Sequence, residues 1–225
     1  MVLTEEINRI LASSENRGWV LEPDAKNILS QAGLYVPEFR FAKTLEQALE
    51  GAAVIGYPLA AKIVSPKALH KSDVGGVAVG LENDDQLKEV FERFSRFEEF
   101  MGVHIEAMAE GLELIIGAKI DPQFGPVILM GIGGTSVEIY QDTAIRMPPL
   151  TPAEVQCMVD SLQARRLLYG YRGKPAVNMD KLTETLIGFS MLVVEMADHI
   201  ESIDLNPVMC NADACVIADA RIMLK

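Results

Sequence analysis

Apolar residues recur at helical spacing in six stretches and alternate along most of the rest. Ile7, Ile10 and Leu11 follow Thr4, which predicts an opening amphipathic helix. Residues 23–32 predict a second helix, stopped by Gly33. Thr44 and Gln47 have the spacing of a capping pair, so a third helix starts there and ends near Gly51. A fourth runs from Asp84 or Asp85 to about Phe100, with Leu87, Val90, Phe91 and Phe94 along one face. Thr151, Pro152 and Glu154 supply an N-cap, a first-turn proline and a capping acid for a helix reaching about Leu168. The last helix spans 180–197, with Leu182, Leu186, Phe189, Val193 and Met196 inward.

Between these lie extended candidates: YPLAAKIVSP (57–66), GVAVGL, VHIEAM, LELIIGAKI and VILMGIGG. IDLNPVMC and ACVIADARI read as a closing hairpin. The strands come in hairpins more than in a βαβ series, so the expected class is α+β with antiparallel sheets flanked by helices. The natural cut, near Ala109–Gly111, gives an N-terminal lobe of residues 1–109 and a C-terminal lobe of residues 110–225.

Net charge narrows the partners. At −12, the long-range field opposes nucleic acid and anionic membranes, while local cations can still hold a small anion. No long uncharged apolar run suggests a membrane span, and MVLTEEINRI does not read as a signal peptide. Cys157, Cys210 and Cys215 fit no zinc spacing and no disulfide framework, so a cytoplasmic location is expected. Cys157, beside Met158 in a helix, is expected inside. His104, sharing a strand face with Glu106 and Met108, and His199, at a helix end, are not read as chemical groups.

Four clusters carry candidate chemistry. Lys62 lies in an apolar strand on the face opposite Leu59, Ala61 and Ile63, so it needs an anionic partner or a route to water. It is either a lysine whose stem lies along apolar surface or a phosphate ligand projecting into a cleft. ALHKSDVGGVAVG (68–80) is either a polar turn or a phosphate loop, in which Gly75 and Gly76 leave amides free and His70 accepts a phosphoryl group. On the LELIIGAKI strand, Glu113, Ile115, Gly117 and Lys119 share a face that suits a nucleoside or simply faces solvent; Gly131, Gly133, Gly134 and Arg146 follow. In the closing hairpin, a symmetric turn at 211–214 places Cys210 opposite Cys215, Asn206 opposite Asp219 and Asp204 opposite Arg221. Asn206 and Asp219, with Asp204 as a further ligand, then suit Mg²⁺; the competing reading is an Asp204–Arg221 salt bridge.

In this order, YPLAAKIVSPKALHKSDVGGVAVGL, ELIIGAKIDPQFGPVILMGIGGTSVEIYQD, RMPPLT, LLYGYRG and IDLNPV resemble the ATP-grasp β subunit of ADP-forming acetyl-CoA (acyl-CoA) synthetases. These belong to the succinyl-CoA synthetase superfamily. The resemblance implies a two-lobed ATP-grasp fold, the phosphoryl-carrying loop (66–80) in the first lobe and the Mg²⁺ hairpin in the second. It implies conversion of acyl-CoA, ADP and phosphate to acid, CoA and ATP through phosphohistidine, and a separate CoA-binding α subunit in an α2β2 heterotetramer. By motif position, His70 would carry the phosphoryl group, and Lys62 and Arg146 would act on phosphates. Glu106, Ala107 and Met108 would meet adenine, Glu113 the ribose with Ile115 against the base, and the Gly131–Gly134 turn, Gly133 included, would line the phosphate end with Arg146. Asn206 and Asp219 would bind Mg²⁺. Two departures stand out: Ser202 where an acid is common, and Thr135-Ser136 where an apolar pair is common. The alternatives are a nucleotide-sensing module without turnover and a stand-alone carboxylate ligase.

Overall fold

The computed structural model describes residues 3–134 and 142–225. Among them are α1 (Glu5–Ser14), α2 (Glu22–Gln31), α3 (Leu45–Ile55), α4 (Asp84–Phe94), α5 (Pro152–Ser161) and α6 (Met179–Met196). The strands are β1 (Trp19–Val20), β2 (Phe39–Ala42), β3 (Leu59–Val64), β4 (Val77–Leu81), β5 (Gly102–Ala107) and β6 (Leu112–Asp121). They continue with β7 (Gly125–Ile132), β8 (Thr143–Arg146), β9 (Ile200–Cys210), β10 (Cys215–Ile217) and β11 (Arg221–Leu224).

Caps set the helix starts. The Thr4 hydroxyl accepts the Ile7 amide at 3.2 Å, and Thr151 with Glu154 closes a reciprocal capping box. Helix ends depart from expectation in three places, the first being α4, which stops at Phe94 rather than near Phe100. Helix α3 runs past Gly51, where a Cβ would sit 2.9 Å from Ile105 Cδ1 and 3.1 Å from Arg40 Cβ. Gly51 is therefore a close-packing position, and Gly56, at φ +87°, ends the helix. Helix α5 stops at Ser161 because the Asp142 carboxylate captures the amides of Gln163 (2.7 Å) and Ala164 (2.8 Å) just beyond it.

The chain forms two compact units. The larger comprises Met1–Val20, Asp24–Val36 and Glu110–Lys225; the smaller comprises Leu21–Pro23 and Pro37–Ala109. The sequence reading puts residues 1–109 in one lobe, whereas most of the first 36 residues lie in the larger unit. Two contacts explain the transfer. β1 pairs with β11, Trp19 opposite Met223 and Val20 opposite Ile222, and Ile7, Leu11, Ile28 and Leu29 are buried in the core of the larger unit.

The larger unit carries a seven-stranded sheet, β1-β11-β9-β6-β7-β8 with β10 also on β9. The smaller carries an antiparallel sheet ordered β2-β5-β3-β4. On β3, Leu59, Ala61 and Ile63 join Leu87, Phe91 and Ile105 in its core, which leaves Lys62 on the other face.

Candidate active-site elements

In the smaller unit the face of β3 opposite its core holds a buried charge cluster. Pairing with β5 sets Lys62 opposite His104 and Ala60 opposite Glu106. The Lys62 ammonium is 2.6 Å from Glu22 Oε1 and 2.9 Å from Glu106 Oε1, and all three side chains are nearly inaccessible. Glu106 Oε2 lies 3.0 Å from His104 Nε2, and the His104 ring stacks against Phe39 with centroids 4.8 Å apart. Glu22 Oε2 is 3.0 Å from the Lys71 ammonium. Two carboxylates thus face two lysines, and this matching permits burial that an isolated ion would not tolerate.

This differs from the expected roles in two respects. Lys62 does not project into an open cleft; its ammonium is shared by two carboxylates. Glu106 is a counter-ion of Lys62, and the Ala107 amide, expected beside adenine, donates to the Glu38 carbonyl at 2.9 Å. Met108 follows the end of β5 and is half-buried. Glu22, His104 and Glu106 stand close enough together to share a metal ion, but Lys62 already supplies the positive charge between the two acids.

The loop after β3 is anchored at both ends. Ala68 is buried, and its amide donates to the Ser65 carbonyl at 3.1 Å. At the far end, the Gly76 carbonyl accepts the Ile63 amide at 2.8 Å, and a Cβ on Gly76 would stand 2.4 Å from Ile63 Cγ2. Only glycine allows that approach. Contrary to the sequence expectation, the glycine amides are not free to cradle phosphate: Gly75 donates to the Ser72 carbonyl (3.1 Å) and Gly76 to the Lys71 carbonyl (2.7 Å). His70 is exposed at the crest, next to Lys71.

In the larger unit, Leu114, Ile116 and Ala118 point into the core while Glu113, Ile115, Gly117 and Lys119 occupy the more open face, the alternation read from sequence. The Gly133 amide donates to the Glu113 carbonyl at 2.6 Å, and a Cβ there would lie 2.8 Å from that oxygen. Glu113, Gly133 and Gly134 line a cavity of about 420 Å³ together with Leu167, Tyr171 and Lys174. Tyr171 and Lys174 went unrecognised in GYRGKPAV, where glycine and proline mark a loop but say nothing of what it faces. Arg146 ends β8 half-buried, its Nη1 donating to the Ile145 carbonyl at 2.7 Å. Thr135 and Ser136 lie outside the described residues.

The closing hairpin keeps the expected register at both ends. Cys210 pairs with Cys215, and Arg221 with Asp204. Between them the ladder opens. Pro207 has no amide to donate, and its carbonyl accepts from both Ala218 (3.0 Å) and Asp219 (3.4 Å), so no ladder pair joins Asn206 to Asp219. Asn206 is exposed and Asp219 half-buried at this opening. An amide oxygen and a carboxylate are hard oxygen donors that suit Mg²⁺. Asp204 is engaged by Arg221 at 2.9 Å. Lys26, fully buried, donates to the carbonyls of Ile217 (2.7 Å) and Ala218 (2.8 Å), immediately before Asp219. A hydrogen bond with Cys215 and then burial push the Cys210 thiol pKa far up. Cys157, expected inside, is exposed on α5 because Val155, Met158 and Val159 take the inward positions.

An ATP-grasp domain model matches residues 11–224. The chain is 38% identical over 221 residues to the β subunit of acetate–CoA ligase (ADP-forming) I of Pyrococcus furiosus, covering 95% of this chain and 94% of that one. A crystal structure from Pyrococcus horikoshii superposes with a TM-score of 0.92 at 36% identity, over 99% of both chains. The acetyl-coenzyme A synthetase 1 of Ca. Korarchaeum cryptofilum, solved with coenzyme A and Mg-AMPPCP, superposes with a TM-score of 0.86 at 34% identity, over 97% of this chain and 100% of that one. In that structure the phosphohistidine segment points towards the nucleotide-binding site. With its two antiparallel sheets and helices, the chain belongs to the ATP-grasp β subunits of ADP-forming acyl-CoA synthetases.

Proposed function

We propose that this chain binds ADP and Mg²⁺ and carries the phosphoryl group of the reaction on His70. It works with a CoA-binding α subunit in the cytoplasm, as an α2β2 assembly, turning acyl-CoA, ADP and phosphate into acid, CoA and ATP. The observation that carries this reading is an exposed histidine on a loop pinned at both ends, next to Lys71, whose ammonium joins a buried cluster of two lysines and two carboxylates. A neutral His70 ring nitrogen attacks the phosphorus delivered from the partner, forming an N–P bond as the donor's bond to phosphorus breaks. The terminal phosphate oxygen of ADP then attacks the same phosphorus, and His70 leaves as the neutral ring. Lys62 offsets phosphate charge during transfer by exchanging a carboxylate contact for a phosphate oxygen, and Arg146 acts on the phosphates of the same nucleotide. Glu113 accepts from the ribose hydroxyls, with Ile115 and Gly133 beside it, while Ala107 and Met108 contact the adenine. Asn206 and Asp219 hold Mg²⁺, with Asp204 as a further ligand, and the ion would offset charge on the nucleotide phosphates.

Incubation of the full chain with Mg-ATP is expected to leave acid-labile phosphate on the wild type and none on His70→Ala. Mg-ADP should raise the melting temperature of both proteins. Wild-type turnover by His70→Ala with its partner present would overturn the carrier role. Nucleotide binding with no phosphate on the wild-type chain would instead favour a sensing module.

A further inference from the structure

The Glu22 carboxylate joins two lysines of different standing. Lys62, on Oε1 at 2.6 Å, belongs to a central strand of the small sheet; Lys71, on Oε2 at 3.0 Å, belongs to the loop that carries His70. Lys71 is the residue next to His70, and its side chain is only 10% exposed although its neighbours Ser72 to Gly75 face solvent. A loop crest would ordinarily send a lysine into water. Here the ammonium turns inward, onto a carboxylate that is itself 4% exposed.

We propose that Glu22 is a positioning residue for phosphoryl transfer, a latch that holds the His70 loop on the sheet through Lys71. The proposal rests on the reading of His70 as the carrier. Three further observations favour a latch over a merely structural pair. The loop's fixed points, at Ala68 and Gly76, flank the segment that would move, so loss of the Lys71 contact frees the crest without unpinning the ends. Glu22 remains engaged by Lys62 when Lys71 leaves, so its charge is not stranded. Glu106 keeps His104 as a second neighbour, which lets Lys62 shift towards Glu22. The cluster can therefore accommodate a departed loop at modest cost, as a reversible catch must.

The test is hydrogen exchange on the full chain, followed by phosphorylation of His70 from Mg-ATP. Lys71→Met is expected to speed amide exchange across residues 66–76 by about tenfold, while β3 and β5 keep their protection. Glu22→Gln should speed exchange across the same residues, and the double variant should go no further there than Glu22→Gln alone, because both remove the Glu22–Lys71 contact. Lys71→Arg should restore slow exchange. In both single variants the His70 phosphorylation rate should change by the same factor with an unaltered KM for nucleotide. If Glu22→Gln fails to fold, Lys71→Met still decides the matter, since it leaves the Glu22–Lys62 pair in place. Unchanged exchange at 66–76 in Lys71→Met, or additive effects in the double variant, would overturn the latch. A freed loop in a chain that never acquires acid-labile phosphate would keep the latch and remove the carrier.

Discussion

Each of the two units buries one lysine, and the two are held by different means. Lys62 in the smaller unit lies between carboxylates of Glu22 and Glu106. Lys26 in the larger unit is fully buried and donates to the carbonyls of Ile217 and Ala218. A carboxylate neutralises an ammonium and can hold a second cation beside it, as Glu22 does with Lys62 and Lys71. Carbonyl dipoles are fixed in the backbone, so a lysine bound to them fixes chain geometry instead. The first arrangement suits a place where charge arrives and leaves. The second suits the opening of a hairpin ladder, where Asn206 and Asp219 lie.

The comparison breaks most sharply at Lys62. Lys62→Met leaves two buried carboxylates with a single lysine among the contacts described, and loss of one partner from a buried ion pair costs about 3–5 kcal/mol. Chemical denaturation should show that loss; a change under about 1 kcal/mol would mean that water reaches the cluster. Lys26→Met, which removes the buried donor to the Ile217 and Ala218 carbonyls, is expected to cost less, about 1–3 kcal/mol. Its distinctive effect should be on metal: a higher Mg²⁺ requirement for ADP binding, with Lys26→Arg recovering stability only in part. Equal losses at the two lysines would erase the distinction between the two anchors.

The sequence discloses one half of each arrangement. Alternation along β3 sets Lys62 opposite a core face and demands an anionic partner, but Glu22 is 40 residues away at the start of a helix that reads as ordinary polar surface. His104 and Glu106 stand on one strand face in the sequence, yet nothing local shows that Lys62 pairs across to them. The hairpin register was legible because Asn211 closes a tight turn, its side chain accepting the amides of Asp213 and Ala214 at 2.9 and 3.0 Å. The break at Pro207 followed from its missing amide, a signal that strand symmetry overrode. The sequence does not show that most of the first 36 residues join the larger unit, because a strand of two residues leaves no pattern. Gly51 looked like a helix stop because a glycine required by a close neighbour is indistinguishable in sequence from one required by a turn.

Asp204–Arg221 completes the scale at its exposed end. The guanidinium and carboxylate are 2.9 Å apart, as close as Lys62 and Glu106, but their side chains are 26% and 38% exposed. Water screens both charges, and a double-mutant cycle between Asp204→Ala and Arg221→Ala should return a coupling of about 0.2–1 kcal/mol. Distance alone then fails to rank the ion pairs of this chain, and burial decides. A coupling above about 2 kcal/mol would show instead that the pair is held as rigidly as a buried one, beyond what exposed pairs give. Mg²⁺ titration of the same variants sharpens the assignment of Asp204. If its carboxylate is a further ligand, Asp204→Ala weakens Mg²⁺ binding while Arg221→Ala, which releases that carboxylate, strengthens it. If Asp204 serves the arginine alone, the two variants titrate like the wild type.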